Sequence, residues 1–409
     1  MTTINEIKKI DIVVIGGGAA GFFSAIQAAA LGKSVVILEQ YKNVLSKVKV
    51  SGGGRCNVTY SCFEPRSLAE HYPRGGKALI GVFHKFQPAD TVNWFEERGV
   101  TLKTEDDGRL FPDTDSSQTI IDCLINEAKK LGVSILTKRS VVDISKKSDR
   151  FNIELNDGSG YDCMGVIITT GSSKVGYEFA KNFGHTIIDP VPSLFTFKIN
   201  DEKLHELAGV SVKEVEVNID GKKQFTQKGP LLVTHWGLSG PSVIKLSAWA
   251  ARYAAEQKYQ FDVTINLLPN LTQPSIGNAI TEFKKNNPLK QCARQSPFSQ
   301  FSARFWLYLV EKVEIKPDQP NKHLTEKQIQ SLVAVISKLS FKVSGKSPFK
   351  EEFVTAGGVS LNEIDFKTME SKRCKGLFFA GEILDIDGVT GGFNFQNAWS
   401  TGYIAGSSV

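Results

Sequence analysis

Residues 11–21 read DIVVIGGGAAG, and the fold of the chain turns on them. Asp11–Ile15 is a short, apolar, β-branched run of the kind that forms a strand buried on both faces. Gly16, Gly18 and Gly21 follow at the G-x-G-x-x-G spacing, and Phe22–Leu31 has helical composition, with Gly32 placed to end the helix. Val35–Leu38 is a second buried strand, closed by Glu39. The first glycine permits a tight turn, the second lets a pyrophosphate approach the backbone, and the third lets helix and strand pack closely. The helix start then offers free N–H groups and a partial positive charge to the phosphates. Such a spacing alone is a weak signal. Here a strand precedes it, a helix follows, and an acid ends the next strand, so the stretch predicts a dinucleotide-binding βαβ unit in a parallel sheet. Glu39 is placed to hydrogen-bond ribose hydroxyls, and its charge argues against a 2′-phosphate there.

The 409 residues are too many for one ordinary core, and 41% hydrophobic with 22% charged residues is the balance of a soluble globular protein. No apolar run approaches the ~20 residues of a membrane span. The first residues, MTTINEIKKID, lack the apolar region of a secretory signal, so a cytoplasmic location is expected, with no membrane partner. The six cysteines are scattered without a CxxC pair, which predicts reduced thiols, no zinc and no other metal. Net charge is +6, and Thr281–Lys350 carries thirteen Lys and Arg against five Asp and Glu. That segment is either a solvated helical face or an attractant for nucleic acid or a phosphorylated cofactor.

Further strands are expected at Val133–Leu136, Val141–Ile144, Phe151–Leu155 and Val166–Thr169, with a helix over Thr119–Leu131. Beyond Pro190 short strands dominate: Phe195–Ile199, Val212–Ile219, Lys223–Thr226 and Phe261–Ile265, with Asp220-Gly221 as a hairpin turn. Residues from about 274 to 340 are helical and basic. A last strand, Leu377–Ala380, leads into a glycine-rich turn and a final helix. The expected organisation is a dinucleotide domain over 1–190 and 355–409, interrupted by a β-barrel-like domain over 191–273 and 341–354 with a helical subdomain over 274–340.

Three more elements carry chemistry. Residues 51–57, SGGGRCN, form a glycine-rich stretch that either passes close to a ligand, with Arg55 as an anion partner, or is a flexible connector. Val166–Gly171 is an apolar strand ending in Thr-Thr-Gly. Gly376–Glu382 is a strand ending in Gly-acid, followed by Gly392-Phe393-Asn394-Phe395-Gln396, a glycine turn at a helix start.

Together these motifs resemble the glutathione-reductase-like superfamily of FAD proteins. More narrowly, SGGGRCN at 51–57, THWGLSGP at 234–241, TAGGV at 355–359 and GEILDIDGVTGGFNFQ at 381–396 resemble a bacterial family of NAD(P)/FAD-dependent, aminoacetone-oxidase-like and bile-acid-enone-reductase-like flavoproteins. The resemblance implies an α/β chain, a Rossmann-like FAD domain interrupted by a barrel-like domain, and non-covalent FAD. The cofactor-binding candidates are Gly16, Gly18, Ala19, Ala20, Gly21, Glu39, Gln40, Lys47, Ser51, Gly52, Gly54, Arg55, Cys56, Asn57, Val141, Thr170, Gly171, Gly381, Glu382, Gly392, Phe393 and Asn394. The chain departs from the family pattern at Leu45 (usually Gly), Lys49 (usually apolar), Phe393 (usually Tyr), Trp236 (often Phe) and Glu382 (usually Asp).

Flavin performs its own redox step, so a catalytic side chain is not strictly required. Candidates are His235, in a loop expected to lead into a helix, Arg55, and Cys56 as an activated thiol beside the flavin. Ser239 is a candidate cap for that helix. Three functions stay open. One is an NADH- or NADPH-dependent reductase of a small unsaturated or carbonyl substrate, although no second dinucleotide fingerprint occurs. Another is an amine oxidase using oxygen. The last is an RNA-associated flavoprotein, for which Phe298, Phe301, Phe305 and Trp306 interleave with Arg294 and Arg304 as would suit stacking on single strands, while their helical spacing fits a buried face better.

Overall fold

A computed structural model describes residues 7–346 and 354–409; the expected return of the barrel over 341–354 is therefore described only as far as Lys346. The chain divides into two compact units, Met1–Val191 with Val354–Val409, and Pro192–Phe353.

In the first unit β1 (Ile7–Ile15), α1 (Ala19–Ala30) and β2 (Val35–Glu39) form the βαβ opening. β3 (Ser134–Thr137), β4 (Gly160–Ile168) and β5 (Leu377–Phe379) extend it into the parallel part, ordered β5-β4-β1-β2-β3, of a nine-stranded sheet whose other strands are antiparallel. This is the doubly wound order, whose direction reverses between β1 and β4. Val13, Val14, Val36, Ile37, Val166 and Ile167 are wholly buried, which is why these strands are continuous apolar runs rather than alternating ones. The register aligns Ile15 with both Leu38 and Ile168, and Ile168 with Phe379. The turns after β1, β4 and β5 therefore leave one carboxyl edge of the sheet, beside Glu39.

A final helix, α2 (Phe393–Ser407), lies on α1. An added Cβ at Gly402 would stand 2.8 Å from the Ala20 carbonyl oxygen, and at Gly406 2.2 Å from that of Ser24, so the two backbones touch where side chains are missing. The strands Ile187–Ser193 and Val354–Val359 pair in a two-stranded ribbon.

The second unit holds a closed six-stranded antiparallel barrel: Phe197–Ile199, Gly237–Ser239, Lys222–Thr234, Ser211–Ile219, Phe261–Asn266 and Leu339–Lys346, in that order around the barrel. Asp220-Gly221 is the hairpin turn expected, joining Ile219 to Lys222. Three helices, Gln273–Asn286, Ala303–Lys312 and Glu326–Ser337, share one core with the strands, to which Val217, Ile265, Leu309 and Leu332 all belong.

Several local expectations change. The expected short strand Lys223–Thr226 is the start of a thirteen-residue strand, and Phe195 lies outside its strand with its N–H donated to Ser247 Oγ. Residues 234–237 turn a hairpin between two barrel strands instead of leading straight into a helix. Ser239 does not cap that helix: Gly240 occupies the cap position, and the Ser239 hydroxyl pairs with Thr196 Oγ1 at 3.0 Å. Phe298, Phe301, Phe305 and Trp306 are at most 6% exposed and packed against one another, so their helical spacing marks core and they present no stacking platform.

Candidate flavin site

The turn after β1 shows the three glycine roles separately. Gly16 takes φ +109° and gives its N–H to the Leu38 carbonyl at 2.9 Å, closing the strand into the turn. At Gly21 an added Cβ would fall 2.0 Å from the Gly16 carbonyl oxygen, so helix and strand are in backbone contact. At Gly18 it would meet nothing within 4 Å, and no side chain caps α1, which begins at Ala19. Open space thus lies over uncapped helix N–H groups, the arrangement a pyrophosphate needs.

Glu39 holds this turn. Its Oε2 accepts from the Gly17 N–H at 2.8 Å and its Oε1 from the Tyr41 N–H at 2.9 Å. Gln40 beside it is exposed. The Arg139 N–H donates to the Glu39 carbonyl at 2.9 Å, which brings the segment leading to Val141, a buried strand residue, along the end of β2. Thr169, which sequence reasoning treated only as part of a strand end, clamps the turn: its hydroxyl donates to the carbonyls of Ile15 and Gly16 at 3.0 and 2.9 Å. The Thr170 hydroxyl is buried without a hydrogen-bond partner, next to Gly171 at φ +59°. An unpaired buried hydroxyl is costly, so this one is poised for a ligand atom.

The second glycine stretch is a kinked helix end over Ser46–Gly54, with Gly52, Gly53 and Gly54 at φ +57°, +70° and +87°. Leu45, at its start, also has a left-handed φ of +56° while 1% exposed, which explains the family's glycine there. Lys49 and Lys47 are exposed, and Lys47 pairs with Glu382, whose other oxygen accepts from the Thr355 N–H at 3.2 Å. The Ser51 hydroxyl donates to the Val48 carbonyl at 2.8 Å.

Two candidates behave otherwise than expected. Arg55 spends its guanidinium on Glu105 at 2.5 Å and Asp115 at 2.7 Å while lying 4.0 Å over the Phe111 ring, so within this unit it is an ion-pair partner for carboxylates. Cys56 is fully buried, and burial pushes its thiol up to about 12, the opposite of an activated thiolate. His235 is exposed at the tip of the barrel hairpin, in the other unit.

The remaining candidates meet around the start of α2. Asn57, its amide oriented to suit both partners, donates to the Thr59 carbonyl at 3.1 Å and accepts from the Gly392 N–H at 3.0 Å. Gly392 sits at φ +93°, and a Cβ there would lie 2.7 Å from the Thr59 carbonyl oxygen. Asn394 pins the preceding loop by exchanging hydrogen bonds with Gly388 at 2.8 and 2.9 Å. Asp387, fully buried, pairs with Arg74. Removing one partner of such a pair typically costs about 3–5 kcal/mol. Gly381 at the end of β5 donates its N–H to Thr401 Oγ1 at 2.9 Å.

Phe393 is 2% exposed and stacks on His71 at 4.3 Å between ring centres and on Tyr60 at 4.8 Å, while the Tyr72 hydroxyl donates to its carbonyl at 2.6 Å. His71, Arg74, Tyr60 and Tyr72 were not singled out from the sequence; no local motif marks them, because their partners are more than 300 positions away.

A doubly wound parallel sheet with an uncapped glycine turn at its switch point, joined to a six-stranded antiparallel barrel, defines an FAD-dependent oxidoreductase. The chain belongs to the HI0933-like family, whose Rossmann-domain model matches residues 10–408. It is 31% identical over 411 residues to a ribosomal RNA dihydrouridine synthase of Escherichia coli strain K12, with 97% of each chain covered. It is 28% identical over 406 residues to a 3-dehydro-bile acid delta(4,6)-reductase of Clostridium scindens, with 97% of this chain and 98% of the relative covered. The fold is also similar to a 3-ketosteroid-delta4-(5alpha)-dehydrogenase of Rhodococcus jostii RHA1, at a TM-score of 0.52 and 14% identity over all of this chain and 98% of the other. No helix among the described residues is long and apolar enough to cross a membrane.

Proposed function

We propose that the chain is an FAD-dependent reductase of a carbon–carbon double bond conjugated to a carbonyl, and that its substrate is uridine in ribosomal RNA. The observation that carries this is the full-length match to relatives whose named reactions share one chemistry. The C5–C6 bond of uracil is conjugated to the C4 carbonyl just as the double bonds of a 3-oxo bile acid are conjugated to its ketone. Dihydrouridine is the saturated product. FAD held in this cradle would supply hydride transfer between a reduced pyridine nucleotide and the carbon β to the carbonyl, the α carbon gaining its proton from solvent.

In this reading Gly16, Gly18, Ala19, Ala20 and Gly21 hold the pyrophosphate, Glu39 turns from Gly17 and Tyr41 to the ribose, and Gln40 and Val141 flank the adenosine. Thr170, Gly171, Gly381 and Glu382 lie along the ribityl chain, with Lys47 close by through its pair with Glu382. The turn at Gly392, Phe393 and Asn394, backed by Ser51, Gly52, Gly54 and Asn57, faces the isoalloxazine. Cys56 and Arg55 brace that loop from behind, Cys56 as a protonated buried thiol. The RNA reading stands first because the 31% relatives carry it. A small steroid-like enone is the second reading, supported by the 28% relative.

The test uses ribosomal RNA, stripped of protein, from cells deleted for this gene. Purified FAD-loaded protein is mixed with it and with NADH or NADPH separately, and nucleosides are analysed by mass spectrometry. A uridine that gains two hydrogens is the expected result. Turnover of a 3-oxo-4,6-diene steroid with none of the RNA would replace uridine by a small enone. Failure of both nucleotides to bleach the flavin anaerobically would overturn the pyridine-nucleotide donor.

A further inference from the structure

The basic helical segment belongs to the second unit, and several of its lysines fall on two segments that are bonded to each other. The helix Gln273–Asn286 ends in Lys284 and Lys285, and Lys284 Nζ donates to the Leu324 carbonyl at 2.6 Å, which sets the helix end against residues 322–324. The loop that follows is bound to the same segment. The Asn321 N–H donates to the Lys290 carbonyl and the Lys322 N–H to the Pro288 carbonyl, each at 2.9 Å. Asn321, 2% exposed, also donates its side-chain amide to the Asn287 carbonyl at 2.9 Å, and Gln291 bridges to Pro320.

This rigid loop carries Leu289 at 76% exposure, the most exposed large hydrophobic residue among those described. Buried Asn321 pins the loop, so Leu289 is held exposed in the folded chain. Lys285 and Lys290 lie close to it in sequence and Lys322 is on the segment bonded to Pro288, and all three are exposed. The ion pairs of this unit among the described residues are Lys203–Glu311, Lys228–Glu216, Lys312–Asp201 and Lys338–Asp220, and none engages those three lysines. The Lys290 ammonium donates to the neutral Gln295 at 3.2 Å. Glu282, Asp318 and Glu326 are the acids on the segments that build the corner.

We propose that this corner, formed by Lys285, Leu289, Lys290 and Lys322, is a docking surface for RNA, with the lysines on phosphates and Leu289 against a base or ribose. The proposal rests on the uridine-reducing function above. Lysines on phosphates supply affinity through counterion release, and an apolar side chain at the centre of a cationic rim is a recurring nucleic-acid contact. RNA is preferred to an acidic protein surface because the 31% identical full-length relatives are ribosomal RNA dihydrouridine synthases. This surface supplies the RNA contact that the buried aromatics around Trp306 cannot.

The test compares the FAD-loaded parent with K285Q/K290Q/K322Q, its Lys→Arg counterpart and L289S, using protein-free total ribosomal RNA between 50 and 200 mM KCl (roughly the range over which counterion release separates such variants). FAD content and melting temperature verify the fold of each variant. The Gln triple variant is expected to show a salt dependence of log K shallower by about 2–3 and a KM for RNA raised about tenfold or more, with the Arg triple restoring both. L289S is expected to weaken binding with the parent's salt slope. Dihydrouridine formation by the parent together with an unchanged KM and slope in the Gln triple overturns the docking surface alone. A parent that neither retains ribosomal RNA nor reduces it overturns the function and the docking surface together.

Discussion

At Gly21 an added methyl group would lie 2.0 Å from a backbone oxygen; at Gly53 and Gly54, thirty residues on, it would meet nothing within 4 Å. The first glycine turn is limited by what surrounds it, a strand on one side and the clamp of Thr169 on the other. The second is limited at Gly53 and Gly54 by its own backbone, the last two of three successive left-handed residues, while at Gly52 an added methyl group would also lie 2.9 Å from the Phe111 ring; Arg55, Glu105 and Asp115 hold the turn from outside. Glycine therefore has two meanings in one unit. One set keeps side chains out of a close contact, and the other set permits a curl that L residues resist.

Four substitutions or conditions separate these meanings, in falling order of effect. Gly21→Ala forces helix and strand apart and is expected to cost about 3 kcal/mol and to abolish FAD retention, read by denaturant unfolding and by flavin absorbance. If it melts like the parent, the close contact is not there. Gly18→Ala, whose methyl group enters open space, is expected to leave the melting temperature of the FAD-free protein unchanged while FAD affinity falls tenfold or more, about 1.4 kcal/mol. Calorimetric titration with FAD checks this, and unchanged affinity would remove the pyrophosphate from this face. Gly53→Ala is expected to cost about 1 kcal/mol through backbone strain, with FAD affinity changed less than in Gly18→Ala.

The smallest effect is electrostatic. Hydrogen bonds from Lys103 and Arg55 hold the Asp115 carboxyl below its usual range. Its folded value lies below its unfolded one, so its contribution is present above about pH 4 and is lost as pH falls through the lower folded value. The difference in melting temperature between the parent and Asp115→Asn should therefore be small at pH 7 and close at lower pH. A difference that widens on acidification would contradict the ion-pair bracing of the second turn.

The same contrast explains what could be read in advance. The first turn and the parallel sheet were legible because strand, turn, helix and acid follow one another within thirty residues, and each constrains the next. The barrel's hairpin at Asp220-Gly221 was legible for the same local reason. Asn57 against Gly392, His71 on Phe393 and Arg74 on Asp387 were not, since nothing in the composition near Asn57 says which distant loop returns to it. Cys56 illustrates a different failure. A cysteine after an arginine reads as activated, but the arginine turns to two carboxylates and the thiol is buried, which reverses the direction of its shift. The aromatics around Trp306 fit both a core face and a stacking surface by spacing, and burial decided for the core.

The ribbon of Ile187–Ser193 with Val354–Val359 has a further consequence for how the chain is tied together. Thr59 meets Gln396 across 337 positions of chain, a long loop to close. With the ribbon zipped, the residues between its strands drop out of that loop and roughly halve it, a gain of only about 0.6 kcal/mol, because closure entropy grows with the logarithm of length. By the same arithmetic the inserted unit can lengthen, shorten or be exchanged at little entropic cost, provided its ends still leave and return through the ribbon. The cradle for the nucleotide can then stay constant through evolution while everything between those two strands is rewritten.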